Sequence, residues 1–487
     1  MRNTIIISVL LFGANVALGQ ISFIKLFSNN GADVGHGIVQ LEDSSYVITG
    51  ASSSFLDAPS QAFLMRIDSL GNYMWSNHYG GSESESGRRV LYKKNFGYFI
   101  CGLTNSIGNG SYDYYLAKVD ENANLEWEKA YGDYGWERVH DAAMTRDTGT
   151  IMVGETSSNS TDNLDMYIVR TDINGDTLWT KTIGGTGDDV ATCIHQYDDT
   201  TYVIGGHLYV VDSMMTKGYL TFLHEDGTIY WEDYFGDYGE YWVNDFCFSD
   251  NKILGVGGMQ NDQTDGIDDY SFYEDFGGNY WGGGNGGFTT AGDHNHRCIT
   301  KYGADTSVYT AYSSLDQWSS IGGEDISVAQ YSVPGFGWQS SFFIANSNPD
   351  VAQQFIRTSD GGAILVGHTT GVVSGGNEVL VVKIGPNDLY PDPFTDVVFD
   401  QIVIVSEYDE IEGFKVYPNP ASTTIKVTTE NHDYDMIRLV NAMGQTILKK
   451  QFHHDVIIDL SVCSKGYYIV ELYGGHNIVK RKKIIKK

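Results

Sequence analysis

The chain has 487 residues, with 57 Gly, 33 Tyr and 22 Phe, and a formal net charge of −31. That length exceeds one ordinary core, so it requires several domains or a repeat array; aromatic and β-branched residues in short runs between Gly, Asn and Asp point to an all-β fold. An acidic balance of this size excludes nucleic acid as a partner of the main body, because phosphates demand basic patches.

Residues 1–19, within "MRNTIIISVLLFGANVALGQ", hold one arginine, a short apolar run and small residues at Ala17 and Gly19. This is the layout of a cleaved signal peptide, and it predicts export. No later stretch reaches the ~18 apolar residues of a membrane helix, so no transmembrane segment is expected.

From residue 20 to about 389 the chain repeats. "GNYMW", "ANLEW", "GDTLW" and "GTIYW" end at Trp75, Trp127, Trp179 and Trp231, one tryptophan every 52 residues. Each copy holds four strand-like runs, A to D, such as "RRVLYK", "GYFICG", "YYLAKVD" and "LEWEKAY", separated by turn residues that join antiparallel strands. A glycine closes run B at Gly50, Gly102, Gly154, Gly206, Gly258 and Gly367. A degenerate sixth copy is expected from "HRCITKYGADTSVYTAY" onward, with Trp338 in its tryptophan position, which makes seven copies.

Four-stranded repeats in tandem predict a seven-bladed β-propeller. "FIKLF" places Phe23 in the tryptophan phase and the last copy stops after "EVLVVKI", so the N-terminal strand is expected to complete the last blade and remove two free edges. Each indole is expected on an outer strand, covering the gap to the next blade. Gly80, Gly132, Gly184 and Gly236 are expected to permit the turn into the next copy.

The five cysteines have no CxxC spacing, and they read as small hydrophobes, with a Cys193–Cys247 bridge left open. Residues 390–412 form an acidic linker. From Gly413 onward, twelve Lys and Arg stand against six Asp and Glu, so this tail carries a surplus of +6 and the rest of the chain −37.

The pattern YGG, DGG-Y-hydrophobic-G-T and D-x-x-G-x-x-x-W, best seen in "TSDGGAILVGHT" and "TDINGDTLW", resembles the tandem-repeat propellers of exported Bacteroidetes proteins. Quinone-dependent dehydrogenases and sialidase-type repeats do not fit, since the Asp-to-Gly and Asp-to-Trp intervals differ. Residues 413–487 resemble the type A C-terminal sorting domain of the type IX secretion system. The likeness rests on Tyr417-Pro418-Asn419-Pro420, Gly444, Asp459, Gly466-Tyr467 and the lysines from Lys482 and Lys483. It implies a small immunoglobulin-like β-sandwich that engages the type IX translocon and a sortase-like peptidase, delivering the protein to the outer cell surface or the medium.

No GxSxG or HExxH motif and no calcium-loop spacing occurs. No catalytic residue, cofactor or metal site is therefore assigned, although His294 and His296 in "GDHNHRC" share a strand phase. The leading expectation is an exported binding protein for a glycan or protein. Off-register Tyr241, Trp242, Tyr280 and Trp281, with His294 and His296, are its candidate contacts. The alternative is a hydrolase or lyase acting on polysaccharide. It would use inward-facing polar residues that differ between blades, for which Arg88, Arg89, His140, Asp188, Asp189, Asn244 and His296 are placed.

Overall fold

The computed structural model describes residues 5–8, 21–28, 31–54, 58–158, 163–236, 239–249, 252–260, 268–275, 280–284, 294–302, 307–314, 325–332, 337–345, 349–370, 376–385, 397–398, 403–406, 414–417, 421–429, 436–441, 446–451, 455–461, 463, 466–474 and 477–486. The chain divides into two compact units, Ser8–Val403 and a second that takes in the C-terminal part from Ile404. Among the described residues all regular structure is strand, and no helix is long and apolar enough to cross a membrane.

In the larger unit the first repeat forms an antiparallel sheet of Asp33–Gln40, Tyr46–Ser52, Gln61–Ile67 and Tyr73–Tyr79, in that order from strand A to strand D. Sheets two to five open with A strands Glu85–Lys93, Glu137–Met144, Val190–Asp198 and Glu240–Ser249 and have the same order. The sixth runs from His294–Tyr302 to Gly337–Ala345, and Val397–Val398 adds to its edge in parallel. The seventh holds Asp350–Arg357, Ala363–Thr370 and Asn377–Ile384, and Ile21–Ser28 supplies its D strand. Phe23 stands opposite Lys383 and Phe27 opposite Val379, which is the pairing the sequence requires. Each A strand touches the A strands of the sheets on either side, and the seventh touches the first.

The core lies between the sheets. Val47 and Leu64 of the first sheet pack with Ile100 and Ala117 of the second, and Met152 and Val169 of the third pack with Phe99 and Leu116 of the second. The tryptophans work at the outer edge of these layers. A Cβ on Gly175, in the third sheet's C–D hairpin, would lie 2.6 Å from the Trp127 ring, and Trp179 packs on Gly227 of the fourth in the same way. Trp179 Nε1 also donates to Glu225 O at 2.9 Å. Phe23 lies on Gly71 as its phase predicts. With each indole half covered, burial of roughly 100 Å2 contributes about 2–3 kcal/mol per joint.

Every A strand contains a bulge at one common phase, the first between Gly35 and Gly37, and the fourth has a second irregularity between Gln196 and Asp198. The bulge explains the glycine that closes strand B. A Cβ on Gly50, Gly102, Gly154, Gly206 or Gly367 would meet the A-strand carbonyl oxygen at 1.8–2.0 Å. In the fifth sheet this position belongs to Gly257, whose Cβ would meet Trp242 O at 1.9 Å, so the Gly258 assignment moves by one residue. The sixth copy is corrected too. Trp338 pairs with Tyr331, and the residue that matches Trp75 in register is Ser340, opposite Gln330.

In the third, fifth and seventh sheets the residue after the bulge pins neighbouring A strands together. Asp141 Oδ2 accepts from Ile194 N at 2.9 Å, Asp245 Oδ2 from Ile299 N at 3.0 Å, and Gln354 Oε1 from Ile38 N at 2.7 Å. The receiving strands carry small residues at this phase: Cys193, Cys298 and Gly37. Alternation of large and small cannot close around an odd number, and the two large neighbours, Arg89 and Asp141, form an ion pair of 2.6 Å. All five cysteines are free thiols, so no Cys193–Cys247 bridge forms.

In the second unit, Phe414–Tyr417, Thr424–Thr429 and Asp455–Asp459 form one sheet, and Thr446–Gln451, Met436–Asn441, Gly466–Gly474 and Asn477–Lys486 form another. Ile425, Val427 and Ile458 of the first share one core with Ile437, Leu439 and Val470 of the second.

Candidate functional site

The A strands begin, and the B strands end, at the same end of every sheet. Two register positions at this end carry the polar residues that differ between sheets. The first is the bulge residue left out of the ladder: His36, Arg88, His140, Thr192, Asn244 and Arg297 in sheets one to six, then Gln353 in the seventh. The second follows the strand-B glycine and holds Glu155, His207 and His368 in sheets three, four and seven, where the first two have Ala51 and Leu103.

These groups form a connected electrostatic arc. His36 Nδ1 donates to Gly87 O at 2.8 Å, and burial, then Arg88, hold its pKa well below the usual imidazole value. Burial pushes the Arg88 guanidinium down to about 10, with Arg89 and Arg138 adding to the effect. Burial lowers His207 to about 4, and burial with Arg297 lowers His368 to about 4. Glu155 is buried, which opposes its ionisation, yet contacts with His140 Nε2 at 3.1 Å and Arg138 Nη1 at 3.2 Å leave its carboxyl below the ordinary value. Apart from His140 Nε2, which faces the Glu155 carboxylate, four buried nitrogens in the arc have no hydrogen-bond partner: Arg88 Nε, Arg297 Nε, His207 Nδ1 and His368 Nδ1. Buried polar groups are normally paired, so four in one register layer call for a cause.

At the same strand ends a groove of about 610 Å3 runs over the second sheet between the first and third. Ser60, Ser84, Ser86, Tyr112, Trp136 and Arg138 line it. Arg138 lies 5.0 Å from the Trp136 ring centroid, and Ser86 Oγ is 3.4 Å from His36 Nδ1, so the groove joins the arc at both residues. Tyr134, in the crossing that leads to Trp136, is 87% exposed.

The crossings beside the groove contain paired acids. Asp113 Oδ1 and Glu137 Oε2 each lie 2.1 Å from where a Gly132 Cβ would sit, and Asp165 Oδ1 and Asp189 Oδ2 crowd Gly184 at 2.1 and 2.6 Å. Gly80 and Gly236 turn through positive φ as expected, but Gly132 and Gly184 are glycines to admit these carboxylates. Burial raises the pKa of all four acids, that of Asp189 to about 6. Asp189 is thus a buried joint residue, its Oδ1 accepting from Tyr209 N at 2.6 Å.

Of the expected contact residues, Tyr241 and Trp242 lie on the fifth A strand and are half-buried. The Tyr241 ring meets Tyr270 edge-on at 5.1 Å, and the Trp242 ring covers Gly258. Tyr280 and Trp281 lie on the D strand of that sheet, at its opposite edge, and Trp281, opposite Tyr273, holds the register of Trp75 opposite Arg66, so it is in the repeating tryptophan phase and not off register; His294 and His296 lie on the sixth A strand. The six are therefore not one cluster. Among the described residues no three His, Cys, Asp or Glu come together as metal ligands.

In the tail, exposed Tyr417 pairs with Lys426, and Asp459 Oδ1 accepts from Ser461 N at 2.8 Å to cap the turn after its strand. Gly466 pairs with Lys486 and Tyr467 with Ile485, and Lys482 and Lys483 lie on the edge strand of the four-stranded sheet. Pro418, Asn419, Pro420 and Gly444 lie outside the described residues.

Residues 415–487 match the family described as the secretion system C-terminal sorting domain, and this segment belongs to it. The domain marks the chain as cargo of the type IX secretion system. No curated protein matches the chain. Similar solved structures include the β-propeller domain of the Trilobed protease from Pyrococcus furiosus, 10% identical with a TM-score of 0.41 over 75% of this chain and 97% of that one. An acylaminoacyl peptidase from Pyrococcus horikoshii is 9% identical, with a TM-score of 0.42 over 81% of this chain and 58% of its own. Lignostilbene dioxygenase from Pseudomonas brassicacearum is 8% identical, with a TM-score of 0.42 over 76% and 95%. Likenesses this distant say nothing of what this chain binds or catalyses.

Proposed function

We propose that this is an exported binding protein whose repeat body holds an extracellular glycan or protein at the strand ends that carry the groove. The body is a seven-bladed β-propeller closed by Ile21–Ser28; the A-strand contacts and the odd-numbered Arg89–Asp141 joint support this reading. The tail is an immunoglobulin-like sandwich that a sortase-like peptidase removes after the signal peptide over residues 1–19 has served its purpose. Deleting residues 413–487 is expected to leave the protein in the periplasm; normal appearance outside the cell would contradict the export claim.

The observation that carries the binding reading is the groove beside the polar bulge positions. An aromatic platform at Tyr112 and Trp136, hydroxyls at Ser60, Ser84 and Ser86, and the Arg138 cation offer stacking and hydrogen bonding together. His294 and His296 stand at the same strand ends and add to this face, whereas Tyr280 and Trp281 do not. The test is a glycan array and a secreted-partner pull-down with the exported protein, in which Trp136→Ala should reduce the signal at least about tenfold.

The rival, a hydrolase or lyase, draws on the His140–Glu155 pair, which offers a base and its orienting carboxylate. Release of reducing ends from a bound polysaccharide, abolished in His140→Ala, would favour it over simple binding.

A further inference from the structure

The arc at the bulge positions has a chemistry of its own. The body of the chain is strongly acidic, yet the two variable register positions collect Arg88, Arg297, His36, His140, His207 and His368 against one buried carboxylate, Glu155. Burial keeps the imidazoles His36, His207 and His368 neutral, so the charge of the arc sits on the half-buried Arg88 and Arg297, and a buried guanidinium Nε without an acceptor is unfavourable unless a ligand supplies one. The four unpartnered buried nitrogens are all on guanidinium or imidazole groups. Arg89, one residue from Arg88, shows the contrast: its Nε is paired to Asp141 at 2.6 Å and serves the joint between sheets, which leaves Arg88 for another purpose.

Resting on the binding reading above, we propose that the ligand is an acidic glycan. Its sugar rings lie along the Tyr112–Trp136 groove and its carboxylate or sulfate group is held by Arg88 and Arg297, with His36 and His368 between them. The groove favours a saccharide over an acidic peptide, because serine hydroxyls and aromatic rings line it in place of the paired backbone donors and acceptors that a peptide strand requires. A guanidinium also suits a planar carboxylate or a sulfate through two parallel hydrogen bonds.

The geometry restricts where the charge must sit. Thr192 is committed to the ring itself, its hydroxyl donating to Val243 O at 2.6 Å, and the fifth sheet offers the neutral Asn244. The anion therefore binds on the side of sheets six, seven, one and two.

The test uses the exported protein and three probes of equal length: a uronate oligosaccharide, a sulfated oligosaccharide and the neutral parent sugar, with an oligoglutamate as a fourth. Titration calorimetry is expected to show binding of at least one acidic sugar, weakening as salt rises, and weaker binding of the neutral sugar. Arg88→Gln and Arg297→Gln should each weaken the acidic sugar about tenfold or more and leave the neutral one unchanged. Thermal melting of both variants checks that they fold; a variant that fails is replaced by Arg88→Lys, which keeps the charge but loses the paired hydrogen bonds. Which acidic sugar binds more tightly tells carboxylate from sulfate. Equal affinity for neutral and acidic sugars, no change in either arginine variant, or a preference for oligoglutamate would overturn the proposal. If the neutral sugar binds and only Trp136→Ala abolishes it, the binding reading stands and the acidic ligand alone is refuted.

Discussion

The rim and the centre of the repeat body obey opposite rules. At the rim, Trp75, Trp127, Trp179 and Trp231 recur at one phase, and Asp68, Asp120 and Asp172 cap the C–D hairpins by accepting two backbone N–H groups each. At the centre, the bulge position changes in almost every sheet, from His36 through Arg88 and His140 to Thr192, Asn244, Arg297 and Gln353. Packing between identical layers demands the same residue each time, whereas a residue outside the ladder is released from that demand and free to serve a ligand. The rim therefore reports the architecture, and on the binding reading proposed above the centre reports the ligand.

The strongest way to break this comparison is at the position that couples the two. Gly154→Ala would place a Cβ 1.9 Å from Arg138 O and 2.7 Å from the Tyr114 hydroxyl, and neither strand can retreat without opening a sheet. The expected loss is about 3–5 kcal/mol, or no folded export at all; denaturant titration of any soluble product measures it. Trp179→Ala should follow with a loss of about 3 kcal/mol, since it removes both the ring on Gly227 and the bond to Glu225 O.

A smaller and pH-dependent effect belongs to the crossing acids. Burial holds the Asp189 carboxyl at about 6, above its unfolded value. A raised folded value means that its contribution is complete below the unfolded pKa near ~4 and is lost as pH rises through about 6. The wild type should therefore gain about 2 kcal/mol relative to Asp189→Asn between pH 7.5 and pH 4.5, as read from paired unfolding curves. Gln61, an amide, occupies in the first sheet the place of Asp113 and Asp165, which fits a joint that favours one neutral member. The smallest effect is expected at the centre. Arg88→Gln should alter stability by no more than about 0.5–1 kcal/mol in the same assay, since its Nε holds no partner in the fold.

The architecture was legible because its constraints recur. The tryptophan period, the strand-B glycine and the phase of Phe23 are imposed by backbone clashes and inter-sheet gaps, and the sixth sheet departs from them, with Ser340 and Tyr312 at the tryptophan and glycine positions. The errors fell where the repeat loosens. Gly257 and Gly258 are both glycine, so only the bulge register distinguishes them, and Trp338 is displaced because the bulge in its hairpin falls on the other side of the pair. The candidate site was legible only in part. The strand pattern places Arg88, His140 and Asn244 near inner strands, but it does not single out His36, His207 and His368. The 52-residue column through 36, 88, 140, 192 and 244 was available as a signal. Reading down that column requires knowing that the bulge releases its residue, which the sequence alone does not show. The sorting tail was readable because its marks are linear and close in sequence.

The central claim, that sameness at the rim reflects packing and variety at the centre reflects ligand, is tested most directly by saturation mutagenesis of the two columns. The readout is the amount of folded protein exported for every substitution. Broad tolerance is predicted at His36, Arg88, His140, Asn244 and Arg297, and near-complete intolerance at Gly50, Gly102, Gly154, Gly206, Gly257 and Gly367. Equal intolerance in both columns would mean that the central residues hold the fold together, and would contradict the account.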